Sequence, residues 1–421
     1  MKHIFSQVRV VDKQSPYHNQ TVNILVDGDT IVAIGSDVFD DDAKEIEVKD
    51  ACVSPGWVEM HSNFGDPGFE EREDIQSGAR AAAAGGFTGV AISPATMPVI
   101  QTKADVEYVL NKANKTPIHI YPLGALSRDL KGEELTEMYD MQLAGACGFY
   151  NDKHPIENAN LLKLALLYSA KIAPVFVHPR QKDLTLGGQM NEGHTSTYLG
   201  LKGIPSFAEE LMISRDLSIA QHTQTPLHFA GISTAGSVHL IREAKQNGMA
   251  ITADVNFYNL VLTDELLKDY DTNFKVNPPI RTADDCKALI EGLKDGTIDA
   301  IAADHVPHEI ENKACEFDNA SFGMAAIEHM FSALKPVIDN IGLPEVIEKL
   351  SNGPREILQL PRIRIAEGNI AELTFFYPEK EYTPTRASSF SKAANNPYIC
   401  RPLIGKIAGT FNKKIFTTSK D

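Results

Sequence analysis

The sequence predicts an α/β fold, a parallel (β/α)8 TIM barrel, with a small β domain formed by the N- and C-terminal segments. Three observations predict the architecture. Between residues 53 and 364, short apolar runs alternate with helical stretches eight times, the rhythm of strand and helix in a parallel sheet. The runs are apolar throughout, as strands covered on both faces require. At both ends of the chain the rhythm changes to short strands and turns, so residues 1–52 and 365–421 are expected to pair into one sandwich-like β domain beside the barrel at 53–364.

Taken in order, Val22–Val26 and Thr30–Ile34 flank the turn Asp27-Gly28-Asp29, a hairpin signal. Barrel strands are expected at Trp57–His61, Thr88–Ile92, Ile118–Leu123, Ala146–Asn151, Pro174–His178, Pro226–Phe229, Ala250–Val255 and Ile298–Asp304. Helices such as Asp74–Ala84, Glu157–Ala170, Ser206–Gln221, Ser237–Asn247 and Asp284–Leu293 fall between them. Later strands are placed at Ala371–Phe376, Ile404–Phe411 and Lys414–Thr417.

The bulk numbers set limits on partners. A chain of 421 residues, 43% hydrophobic, holds a large core. Its net charge of -16 argues against nucleic acid and anionic membranes as partners. Cys52, Cys147, Cys286, Cys315 and Cys400 are scattered without a CxxC pair, which indicates neither a disulfide framework nor a zinc knuckle. A reducing cytoplasm is the expected location. Met1-Lys2-His3-Ile4-Phe5 lacks the apolar core of a signal peptide, and no apolar run reaches the length of a membrane span.

Barrels of this kind carry their chemistry at the C-terminal ends of the strands. Those ends supply His61 and Asn63, Ala95, Asn151 and Asp152, His178, Gly231, Asn256 and Asn277, and finally Asp304-His305-Val306-Pro307-His308. One histidine at a strand end is more often packed than a ligand. Four metal-capable residues at four strand ends, His61, Asp152, His178 and Asp304, are expected to converge on one ion or one water, and zinc accepts such donors four at a time. The first strand is unusual. A strand ending in His-x-His grips a metal because alternate side chains share a face, and here Asn63 takes the second position.

Longer blocks carry a resemblance. They are Ser54-Pro55-Gly56-Trp57-Val58-Glu59-Met60-His61, Asp66-Pro67-Gly68-Phe69-Glu70 and the run Gly78 to Thr88, then Gly187 to Gly193 and Leu199 to Pro205, then Lys275 to Arg281, Asp299 to His308, and Glu316-Phe317. Together these resemble the amidohydrolase superfamily and, within it, the class I dihydroorotases, over nearly the whole chain. The resemblance implies a binuclear zinc site. In its pattern His61 falls on the first histidine, Asp152 on the bridging carboxylate, His178 on the histidine after the fifth strand, and Asp304 on the last ligand and catalytic base. Asn63 and Gly231 occupy the positions of two further ligand histidines, and His228 matches a strand residue. Gly65 and Ala95 stand where the family's arginine and asparagine hold the substrate carboxylate. Asn277 and His308 match substrate-contacting positions, with a loop role and a strand-end hydrogen bond equally open for them.

Each metal position thereby loses an imidazole, so zinc is expected at reduced occupancy or absent, and the water activation it supplies cannot be assumed. The resemblance then implies a degenerate dihydroorotase-like subunit of pyrimidine biosynthesis, non-catalytic and associated with aspartate carbamoyltransferase. The alternatives are an active dihydroorotase interconverting N-carbamoyl-L-aspartate and dihydroorotate, and a single-metal hydrolase of another cyclic amide. A homo-oligomer is also implied. Restoring Asn63→His, Gly231→His, Gly65→Arg and Ala95→Asn together is expected to recover zinc if the pocket is otherwise intact.

Overall fold

Eight parallel strands curl around one axis in the computed structural model, which describes residues 1–419. Trp57–Ser62, Phe87–Ile92, His119–Ala125 and Gly148–Tyr150 pair side by side, as do Phe176–Val177, Leu227–Phe229, Ile251–Asn256 and Ala300–Ala302. A parallel bridge from Phe149 to Val175 joins the two halves. The seam between last and first strands is closed by the Asn63 amide donating to the His305 carbonyl at 2.8 Å. Glu59, buried in the first strand, accepts from the Ala303 and Asp304 amides at 2.7 and 3.1 Å. The fold class read from the sequence holds.

Burial explains the strands. Every residue of the first two is buried. Val58, Met60, Ala91, Leu123, Tyr150, Phe176, Ala230, Ala300 and Ala302 fill the interior, while a larger cluster lies between strands and helices. The barrel is therefore a packed core whose polar residues are pushed to its ends. Several strands are shorter than expected. Asn151, His178 and Asp304 leave the ladder because their positions begin the loops, and Asp304 takes φ +46. Helix starts shift by a few residues for a similar reason. Asp74 and Asn158 are caps, not helical residues, their side chains accepting from Ser77 and from Asn160 and Leu161 amides.

Both chain ends enter one antiparallel-rich sheet. Its order is Ile415–Thr418, Leu403–Asn412, Leu373–Tyr382, Cys52–Pro55, Lys2–Val10, Thr21–Asp27, Thr30–Gly35, with Lys44–Ile46 beside Lys2–Val10. Phe5 stacks on Phe375 at 4.5 Å in a core of its own. The final strand begins at Ile415 rather than Lys414, because Lys413 and Lys414 form the turn at φ +48 and +66. Among the described residues no helix is long and apolar enough to cross a membrane.

Candidate functional site

A chain of alternating charges spans the barrel mouth. Its first member, Asp254, lies on the seventh strand and is fully buried. Its carboxylate accepts from His61 Nε2 at 3.1 Å on each oxygen, from His228 Nε2 at 2.9 Å and from the Gly231 amide at 2.7 Å. Burial alone would raise its pKa, but the charge of His61 and the hydrogen bonds from His228 and His61 hold it well below the usual carboxylate range.

His61 continues the chain. Its Nδ1 lies 3.6 Å from Asp304 Oδ1 while its Nε2 faces Asp254. Burial opposes its charge, yet the two carboxylates outweigh burial and raise its pKa well above the ordinary value. Both ring nitrogens thus face carboxylates, which favours the protonated ring.

Asp304 is the meeting point. Its Oδ2 accepts from Lys153 Nζ at 2.5 Å, from the Tyr258 hydroxyl at 2.6 Å and from Asn256 Nδ2 at 3.3 Å. Lys153 also donates to the Asn277 carbonyl at 2.5 Å. Burial raises the Asp304 pKa, and the Lys153 ammonium and His61 more than cancel it, leaving it well below the usual range. A carboxylate so held stays ionised.

The donor set does not fit zinc. Among the described residues no group of three His, Cys, Asp or Glu side chains is arranged to hold a metal ion. Of the expected set of His61, Asp152, His178 and Asp304, the structure brings His61 and Asp304 together at 3.6 Å. The Lys153 ammonium lies beside Asp304 Oδ2 at 2.5 Å. Asp152, at φ +51, is half buried and hydrogen-bonds to none of the others. His178 is buried with Nδ1 unpartnered, and burial with the charges of Arg180 and Lys153 pushes its pKa down to about 3.

The substituted positions are built into the fold. Asn63 Oδ1 accepts the Gly65 amide at 3.0 Å, and the Ala95 amide donates to Ser93 Oγ at 3.1 Å. Asn277 keeps its side-chain oxygen unpartnered. His308 Nε2 bonds the Phe322 carbonyl at 2.9 Å, and burial lowers its pKa to about 4. Three participants, Asp254, Lys153 and Tyr258, escaped sequence reasoning. The available signal was a lone carboxylate inside the apolar run Ile251–Val255, and a lysine one position beyond Asp152.

The comparisons follow this geometry. A Dihydro-orotase-like family model matches residues 51–237. A protein named dihydroorotase from Pelotomaculum thermopropionicum is 41% identical over 409 residues, covering 96% of each chain. Another of that name from Acetivibrio thermocellus is 41% identical over 387 residues, covering 90% of each. The dihydropyrimidinase of Brevibacillus agri superposes with a TM-score of 0.84 at 20% identity, covering 100% of this chain and 95% of its own. The L-hydantoinase of Arthrobacter aurescens gives 0.84 at 21% identity, covering 100% and 97%. At such identities the two structures speak for the fold alone.

Proposed function

The chain belongs to the dihydroorotase family of amidohydrolases, and from that membership we propose that it serves pyrimidine biosynthesis as a non-catalytic subunit held to aspartate carbamoyltransferase. One observation carries this reading: Lys153 Nζ sits 2.5 Å from Asp304 Oδ2, and His61 is gripped between Asp304 and Asp254. The protein's own cations neutralise the carboxylates that a metal would need. Breaking such a buried pair costs about 3–5 kcal/mol, so zinc has to compete with Lys153 for Asp304. The side chains that would clamp a substrate carboxylate are also missing, at Gly65 and Ala95.

The shared name of the relatives favours a second reading, an active dihydroorotase. Three measurements on the purified chain separate the two. Metal analysis counts zinc per chain, ultraviolet absorbance follows dihydroorotate formation and loss, and a pull-down tests for bound aspartate carbamoyltransferase. Absent zinc, absent turnover and a bound carbamoyltransferase support the non-catalytic reading. Two zincs per chain with turnover overturn it.

We further propose that the protein self-associates through the helices Ala159–Ser169 and Phe207–Thr223. Leu164, Leu167, Tyr168, Phe207 and Leu211 on them are each between 44% and 54% exposed.

A further inference from the structure

We propose that a cavity beside the barrel mouth binds a small oxyanion, a carboxylate or a phosphate, gripped by Arg180. This goes beyond the reading above and holds whether or not the barrel turns over a substrate. The cavity measures about 550 Å³, within the range of small-molecule pockets. It is walled by the segment from Asp129 to Glu133, by Lys153 to Asn158 in part, and by Arg180 and Lys182 after the fifth strand. In a chain of net charge -16, this wall gathers Lys131, Arg180 and Lys182, besides Lys153, whose ammonium is committed to Asp304 and the Asn277 carbonyl. Three carboxylates also line it, and one of them, Asp129, is already paired with Lys131 at 3.3 Å.

Arg180 is the anomaly that calls for a ligand. Its Nε is buried without a partner, and among the described residues its only hydrogen bond runs from Nη2 to the Lys153 carbonyl at 3.4 Å. Among the described residues no carboxylate pairs with it. Other buried or half-buried arginines are treated differently. Arg281 faces Glu209 at 3.7 Å, Arg215 pairs with Asp216 at 2.6 Å, and Arg355 bonds Glu372 directly. A guanidinium keeps its charge in a protein, so desolvating one without a counter-ion is unfavourable. An anion entering the cavity supplies that counter-ion. The unused Nε–H belongs to a planar fork whose geometry suits two oxygens of one carboxylate or phosphate.

A second observation lies next to it. His178 and Asn277, each 5% exposed, have Nδ1 and Oδ1 without partners. Both line, together with Arg180, a smaller cavity of about 10 Å³, close to the space of one water. Unsatisfied polar groups thus collect around a half-buried guanidinium that pairs with no carboxylate among the described residues. Lys182 is exposed at the rim and makes no ion pair among the described residues.

The test is calorimetric titration of the full chain with inorganic phosphate and, separately, with succinate at low salt. Saturable binding of at least one probe is expected, and which one binds identifies the oxyanion. Arg180→Gln should weaken that binding tenfold or more. Lys182→Glu, on an exposed residue that the fold does not need, should weaken it at least threefold, while Lys268→Ala, elsewhere on the surface, should leave it unchanged. Failure of both probes to saturate overturns the proposal, and so does wild-type affinity in Arg180→Gln. If Arg180→Gln does not fold, undiminished affinity in Lys182→Glu overturns it instead.

Discussion

At Asp304 a lysine supplies the nearest positive charge. Lys153 Nζ reaches Oδ2 at 2.5 Å and shares it with Tyr258 at 2.6 Å. Removing Lys153 leaves a buried carboxylate without its strongest partner. Lys153→Met should therefore cost about 3–5 kcal/mol of stability, read as a lower urea midpoint with an unchanged slope. An unchanged midpoint would show that the pair contributes nothing. The four-residue restoration faces a different obstacle. Gly65 has φ +69, and a Cβ there would meet the Phe69 carbonyl oxygen at 2.7 Å. Gly231 has φ +66 with Asn256 Nδ2 at 3.2 Å. Both positions sit in the left-handed region that favours glycine. Asn63→His, Gly231→His, Gly65→Arg and Ala95→Asn combined should melt at lower temperature and still take up fewer than two zincs per chain. Two zincs per chain in that variant would mean that the loops move aside and the charge chain opens.

At the scale of elements, the strand Leu373–Tyr382 ties the β domain to the barrel. Just before it, Glu372 bonds Arg355 and lies 3.5 Å from His119 Nε2. Thr374 Oγ1 donates to the Gly86 carbonyl at 2.6 Å, and Asn412 Nδ2 to the Thr88 carbonyl at 2.8 Å. Burial raises the Glu372 pKa, but the hydrogen bond with His119 and the charge of Arg355 bring it down to about 2 from 4.5. The folded value lies below the unfolded one. The stabilisation is thus complete above about pH 4.5 and is lost as pH falls towards 2. Its size is roughly 3 kcal/mol at neutral pH. Wild type should exceed Glu372→Gln in urea stability at pH 6, and the gap should close progressively below pH 4.5. A gap that stays constant with pH would assign the effect to packing rather than to charge.

At the scale of the whole molecule, charge is unevenly spread over the outer helices. Ala283–Lys294 exposes Asp284, Lys287, Glu291 and Lys294, whereas the exposed residues of Ala159–Ser169 and Phe207–Thr223 include no Asp, Glu, Lys or Arg. Arg215 fixes the latter pair together, donating to the Ile156 and Glu157 carbonyls at 2.7 and 2.9 Å. Two copies that each carry -16 repel one another. A two-fold contact sets a surface against itself, so an apolar face whose few charges are only partly exposed is where that repulsion is least. Light scattering should give the mass of a dimer for the wild type and of a monomer for Leu164→Glu with Leu211→Glu. A wild type that is monomeric at micromolar concentration sinks this surface.

By itself the sequence determined the barrel, because burial on both faces writes a continuous apolar run into each strand, and Val58, Val90 and Ile301 carry that signal locally. It also marked the strand ends where His61, His178 and Asp304 stand. What those ends do was decided only by tertiary structure. His61 and Asp254 are 193 positions apart in the chain, and Lys153 and Asp304 are 151 apart. Which charge meets which depends on barrel closure and on the turn at Asp152, and a pairing across such distances leaves no periodic trace. A strand needs only its neighbours' burial to be recognised, whereas a charge needs its partner's position in space.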